Sequence, residues 1–181
     1  MLRILIVLLV VFLLAMAFTM YRFVSATHDP LIWHVDPQLV ERPVTPNTYL
    51  VAPQVLHITN VDREAPQYQV EAGVLAKAFD DFVIRQNNIT VVAGSPAELM
   101  VTYVQRSWFW RIPDYISVKF VPLEGGASTI IVWSRSRFGH GDMGVNAARV
   151  ENWLASLQSL ERPAEAIVLP GTADEDETAG Q

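Results

Sequence analysis

Cysteine is absent from the 181 residues. This excludes disulfides, thiolate catalysis and cysteine-ligated zinc or iron–sulfur centres, although it selects no compartment. Histidine is scarce. His28, His34 and His57 lie in the N-terminal part, and His140 stands alone further on. No two of them have ligand spacing with a carboxylate, so neither a metal site nor a cofactor is expected. The G-x-S-x-G elbow, the H-E-x-x-H pair and the phosphate-loop spacing are all missing. There is no internal repeat. Excess positive charge is missing too, since the formal net charge is -6. From Glu161 onward there are six acids (Glu161, Glu165, Asp174, Glu175, Asp176 and Glu177) against Arg162 alone, so that segment carries -5 and all before it carries -1. A nearly neutral body does not steer nucleic acid from a distance, and no nucleic-acid partner is expected.

One long apolar run is present. Ile4 to Met20, "ILIVLLVVFLLAMAFTM", holds 17 residues without a charge. As a helix it extends about 26 Å, just short of a hydrocarbon core of roughly 30 Å. Tyr21 and Phe23 stand where an interfacial aromatic belt would sit. Two readings fit. Val24–Ala26 and Ala15–Ala17 both satisfy the small-residue rule for signal-peptide cleavage. Against cleavage, the run exceeds the usual signal length, and Arg22 lies between it and Ala26. An uncleaved anchor, in contact with lipid over residues 4–21, is the favoured reading. Arg3 and the amine precede the run, while Asp29, Asp36 and Glu41 follow it. This charge order places the rest of the chain outside the cytoplasm, as a single-pass membrane protein with a periplasmic C-terminal domain.

Four segments are expected: an anchor or signal peptide over 1–25, a proline-rich extended segment over 26–66, a core domain over 67–163 and an acidic, disordered tail over 164–181. Five prolines between Thr27 and Pro53 forbid a long helix there, and the apolar residues among them favour docking on a surface. "YQV" near Tyr68 suits a short strand. Glu71 to Gln86 carries Leu75, Phe79, Phe82 and Val83 on one helical face. "ITVVAG", "ELMVTYVQRS", "DYISVKFVPL" and "TIIVWSRSRF" read as strands, the last two joined by a turn at Gly125-Gly126. Val150, Trp153, Leu154, Leu157 and Leu160 mark a final amphipathic helix. The fold class is α+β, an antiparallel β-sheet with two packing helices in two layers, preceded by one N-terminal transmembrane helix.

The most informative stretch is "SRSRFGHGDMGVNAARVENWL". In a strand, Arg135 and Arg137 share a face with Ile131 and Trp133, and Ser134 and Ser136 take the other. Glycines then turn the chain, and Asp142 or Asn146 is placed to cap the helix. Arg106, Arg111 and Asp114 crowd a loop upstream. Between Tyr103 and Arg149 there are six bases (Arg106, Arg111, Lys119, Arg135, Arg137 and Arg149) against Asp114, Glu124 and Asp142. The set Arg106, Arg111, Asp114, Arg135, Arg137, His140, Asp142, Asn146 and Arg149 is a candidate anion corner. The competing account is structural: Arg135 or Arg137 pairs with Asp114 or Asp142 and ties the strand to the helix, with Arg137–Asp142 the favoured pair. Trp108, Phe109 and Trp110 cannot all face one core, so they either fold over the sheet end or meet a partner protein or lipid. An enzymatic alternative is a hydrolase-like centre built on Asp114, His140 and Asp142.

The same stretch, with "IPDYISVKF" upstream and "PVTPNTYLVAP" early in the chain, resembles the family catalogued as domain of unknown function 1499. The family signature Ser-Arg-x-Gly-x-x-Asp-x-Gly-x-Asn-x-x-Arg-Val falls on Ser136, Arg137, Gly139, Asp142, Gly144, Asn146, Arg149 and Val150. The resemblance spans roughly residues 40 to 160 and implies an envelope- or membrane-associated α+β domain without an established activity. Members often carry tyrosine where this chain has His140, which speaks against a general catalytic role there. The expected function is a membrane-anchored, non-catalytic binding or assembly module for an anionic ligand or a partner protein.

Overall fold

The computed structural model describes residues 1–43 and 45–161. The tail expected over 164–181 lies outside the described residues. The apolar run forms one unbroken helix, α1 (Leu2–Val24), with no buried residue. An 18-residue window within it has a mean hydropathy of 2.9, and the helix is long and apolar enough to cross a membrane, a test that a signal sequence also passes.

The proline-rich segment is docked, and it is more structured than an extended strap. Asp29 caps a single helical turn, α2 (Pro30–Trp33), its Oδ1 accepting from the Leu31 amide at 3.0 Å. Between Pro46 and Pro53 the chain is free of proline and forms β1 (Thr48–Ala52). Two short strands follow, β2 (Arg63–Glu64) and β3 (Gln67–Tyr68).

The core helix α3 covers Ala72–Val83. It ends before Gln86 because the Arg85 and Gln86 amides bond three residues back, to Phe82 and Val83, which tightens the last turn. Then come β4 (Ile89–Ser95), β5 (Met100–Arg106), β6 (Pro113–Pro122) and β7 (Ser128–Ser136). β5 starts later than its apolar pattern because Pro96–Glu98 is a 3₁₀ turn closed by Leu99 at φ +55°. The turn before β7 uses Gly125 and Gly126 at φ +72° and +76°. The last helix, α4 (Val145–Ala155), begins five residues before its first apolar anchor, and Gln158–Leu160 forms a separate turn.

The strands run in the order β2-β1-β7-β6-β5-β4, with β3 beside β7 beyond the end of β1. The pairings are antiparallel except β1 with β2. The sheet is therefore mixed, not purely antiparallel. Residues 53–62 carry the chain back to the middle of β1, where the Asp62 amide bonds the Leu50 carbonyl, so β2 enters in the same direction beside Val51 and Ala52. The β4–β5 register slips between Val91 and Ala93.

Two faces result. On one, α3 and α4 cover Val101, Tyr103, Ile116, Val118, Ile130 and Val132. Phe79 stands edge-on to Trp153 and Phe120 at 5.8 and 5.6 Å between ring centres. On the other face, Val35 and Val40 of the proline-rich strap pack with Leu50, Ala52, Ile131 and Trp133. Helices, sheet and strap make three layers, one more than expected.

Candidate functional site

Alternation along β7 sends neighbouring residues to opposite faces of the sheet. Ser134 and Ser136 meet α4, while Trp133, Arg135 and Arg137 meet the strap. The arginine-and-glycine stretch is thereby divided into a closed half and an open half.

The closed half is a clamp. Arg149 on α4 donates to Asp114 at the start of β6 at 2.6 Å, with both side chains nearly buried. Arg149 also bonds Ser134 Oγ (3.0 Å), Asn146 Oδ1 (2.7 Å) and Gln105. Asn146, fully buried, accepts from Ser134 at 2.6 Å. Its Nδ2 faces the Asn47 carbonyl (3.0 Å), Ser136 Oγ (3.0 Å) and Asp142 Oδ2 (2.6 Å). Asp142 accepts from the Gly144 and Asn146 amides at 3.0 and 2.8 Å, and so holds the first turn of α4 from three residues before it. Burial pushes the Asp142 carboxyl up, but these amides outweigh it and hold its pKa below the ordinary value. Asn47 closes the corner by donating to the Gly139 carbonyl at 2.8 Å.

The ion pair is thus Arg149–Asp114. The expected Arg137–Asp142 pair does not form, and neither does any pairing of Arg135 or Arg137 with Asp114 or Asp142. The reason is geometric: both arginines leave β7 on the face away from α4.

The open half lies under the strap. Arg135 is 6 % exposed. It donates to the Trp33 carbonyl (2.8 Å) and to Ser117 Oγ (3.1 Å), and its guanidinium lies 4.0 Å from the Trp133 ring centre. Burial lowers its pKa to about 10. Arg137 donates to the Thr27 carbonyl (2.7 Å) and the Tyr115 hydroxyl (3.2 Å). Trp33 stacks flat on Tyr115 at 3.7 Å and sits within cation–π range of both arginines. A cleft of about 430 Å³ opens here, lined by Ile32, Trp33, Thr45, Thr48, Trp133, Arg135, Arg137 and Gly139 among others. Among the described residues, Arg106, Arg111, Arg135 and Arg137 form no ion pair with a carboxylate.

Arg106 faces the exit of α1. Its Nη1 donates to the Phe23 carbonyl (2.8 Å) and to the Arg111 carbonyl (3.0 Å), and its Nη2 to the Ala26 carbonyl (3.1 Å). Its Nη2 also lies 2.8 Å from His28 Nε2, which must accept because a guanidinium only donates. His28 Nδ1–H is then left to donate to the Tyr115 hydroxyl at 2.7 Å. Desolvation, with Arg106 and Arg137 adding to it, lowers the His28 pKa. Arg111, at φ +57°, bonds Asn88 Oδ1 at 2.7 Å. The loop between β5 and β6 leaves all three aromatics exposed: Trp108 by 84 %, Phe109 by 56 % and Trp110 by 38 %.

His140 is exposed in the glycine turn. Asp114 is engaged by Arg149 and Asp142 by backbone amides, so neither carboxylate orients His140. Sequence reasoning missed Trp33, which lines the cleft, Tyr115, which stacks on it, and His28, which bonds Tyr115. Their joint signal was weak: a histidine and a tryptophan in a proline-rich strap, and a tyrosine indistinguishable from ordinary core.

The family model described as "Protein of unknown function (DUF1499)" matches residues 38–157. That span contains the clamp, β7 and most of the cleft. No curated protein matches the chain.

Proposed function

The chain belongs to the DUF1499 family of proteins of unknown function, and we propose that it is a membrane-anchored, extracytoplasmic module that binds an anionic ligand in the cleft between strap and sheet. The observation that carries this reading is Arg135, a buried guanidinium that lines the cleft without a carboxylate partner among the described residues. Burying an unpaired charge is costly, and a bound anion would relieve that cost. Arg137 lines the same cleft and adds a second fork. The Trp33 and Trp133 rings beside them suit a ligand with a flat apolar part, and the volume is that of a small-molecule site. Asp114, Asp142, Asn146 and Arg149 of the candidate corner hold the scaffold and leave the ligand to Arg135 and Arg137.

The anchor reading draws support from the helix exit, where Arg106 binds the Phe23 and Ala26 carbonyls and Phe138 packs on Phe23 at 5.1 Å. The charge order around α1 supports an extracytoplasmic domain.

The test uses 2-naphthyl phosphate, with uncharged 2-naphthol as control, on the full chain in detergent. The phosphate ester is expected to quench tryptophan emission saturably, and 2-naphthol far less. Arg137→Gln should weaken ester binding about tenfold, within the range of a charge-assisted hydrogen bond. Equal binding of both compounds, or ester binding indifferent to Arg137→Gln, overturns the proposal.

A further inference from the structure

The loop between β5 and β6 is closed at its base. The Ser107 amide donates to the Ile112 carbonyl at 2.9 Å, and the Ile112 amide donates to Ser107 Oγ at 3.0 Å. The loop is therefore tied off at its base, and its tip stands clear of the sheet. Its three rings pack on one another, Trp108 to Phe109 at 6.1 Å and Phe109 to Trp110 at 5.1 Å. Three adjacent exposed aromatics form an apolar knob that the domain covers only in part, least at Trp108.

The position of the knob selects its occupant. One guanidinium, Arg106, bonds the carbonyls of Phe23 and Ala26 at the end of α1 and the carbonyl of Arg111 in the loop. The root of the knob and the exit of the apolar helix are thus joined through a single side chain. Tyr21 and Phe23 mark the level at which that helix leaves the hydrocarbon, and indole rings favour the same level. Charge agrees: Arg22 ends the helix and Arg111 ends the loop, while residues 107 to 113 contain no acid. Basic side chains beside interfacial aromatics suit a surface of anionic headgroups.

We infer that Trp108, Phe109 and Trp110 insert into the bilayer interface beside α1, forming a second membrane contact that fixes the domain against the lipid surface. The partner is lipid of the leaflet at which α1 emerges, with anionic headgroups around the aromatic tips. This inference rests on the anchored reading of α1. It is independent of the anion cleft.

The test reconstitutes the full chain in vesicles of phosphatidylethanolamine and phosphatidylglycerol, with and without acyl chains brominated near the headgroup. Among the tryptophans, Trp33, Trp133 and Trp153 lie within the fold, whereas Trp108 and Trp110 are the exposed pair. Brominated lipid should quench wild-type emission, and the Trp108→Phe/Trp110→Phe variant, which keeps the apolar surface, should lose that quenching. Equal quenching in both proteins, or none in either, overturns the inference. So does a photo-crosslinker at position 108 that labels a protein in native membranes instead of lipid. Intact mass on the same sample separates the two readings: loss of residues 1–26 removes the anchor, and quenching of the shortened chain then decides the loop alone.

Discussion

Arg149 and Asp114 are the two residues whose loss the fold should feel most at the corner. Their side chains are 7 % and 11 % exposed. Removing one partner strands the other charge in a nearly dry site, at about 3–5 kcal/mol. In a thermal-melt double-mutant cycle, Arg149→Ala with Asp114→Ala should therefore cost clearly less than the sum of the singles. Arg137→Ala with Asp142→Ala, which share no contact, should instead add to within about 0.5 kcal/mol. The opposite pattern would return the ion pair to the places the sequence suggested. His28 gives a second prediction. Its pKa is lowered from the ordinary 6.5 by burial and by Arg106 and Arg137, so the folded form resists a proton that the unfolded chain accepts. Stability is then full above pH 6.5 and falls as the pH drops below it. His28→Gln keeps a group that can face Arg106 and Tyr115 without titrating, and its melting temperature should change less between pH 7.5 and 5.5 than that of the wild type. Equal slopes would show that His28 does not report on this junction.

At the scale of elements, the sheet was legible where one strand carried its own pattern. Ile116, Val118 and Phe120 alternate with Ser117 and Lys119, and β6 and β7 pair as that alternation requires. The division of β7 into an arginine face and a serine face was legible for the same reason. The ion pair was not, because Asp114 and Arg149 lie 35 residues apart and only the assembled sheet and α4 bring them together. β1 was hidden by prolines on both sides of a six-residue gap. The contact of the strap with β6 was hidden because His28 reaches Tyr115 across 87 residues. One glycine shows how closely the strap lies. At Gly94 (φ +80°), an added Cβ would come within 2.1 Å of the Met100 carbonyl oxygen and 2.9 Å of His34 Cε1. Gly94→Ala should shift both β4 and the strap. It should lower the melting temperature and raise amide exchange at residues 30–35, whereas exchange confined to β4 would mean that strap and strand move independently.

At the scale of the molecule, the proposed topology predicts that a C-terminal periplasmic reporter is active and that the chain stays with membranes through a high-salt wash; recovery of a soluble form lacking residues 1–26 would mean that α1 is a signal sequence. The slipped register of β4 has a different consequence. β4 and β2 are the two rims of the sheet, and a straight rim offers its amides and carbonyls to any passing chain. One rim is broken into two short pieces, the charged pair Arg63 and Glu64 of β2 and the two-residue β3, where Tyr68 is bridged to Glu161. The other is bent at Val92, where the bulge breaks the ladder, and again at Gly94, beneath the strap. Neither rim is a good template for a second copy. In the proposed anchored state, two-dimensional confinement crowds copies together, and a domain with spoiled rims resists polymerising there.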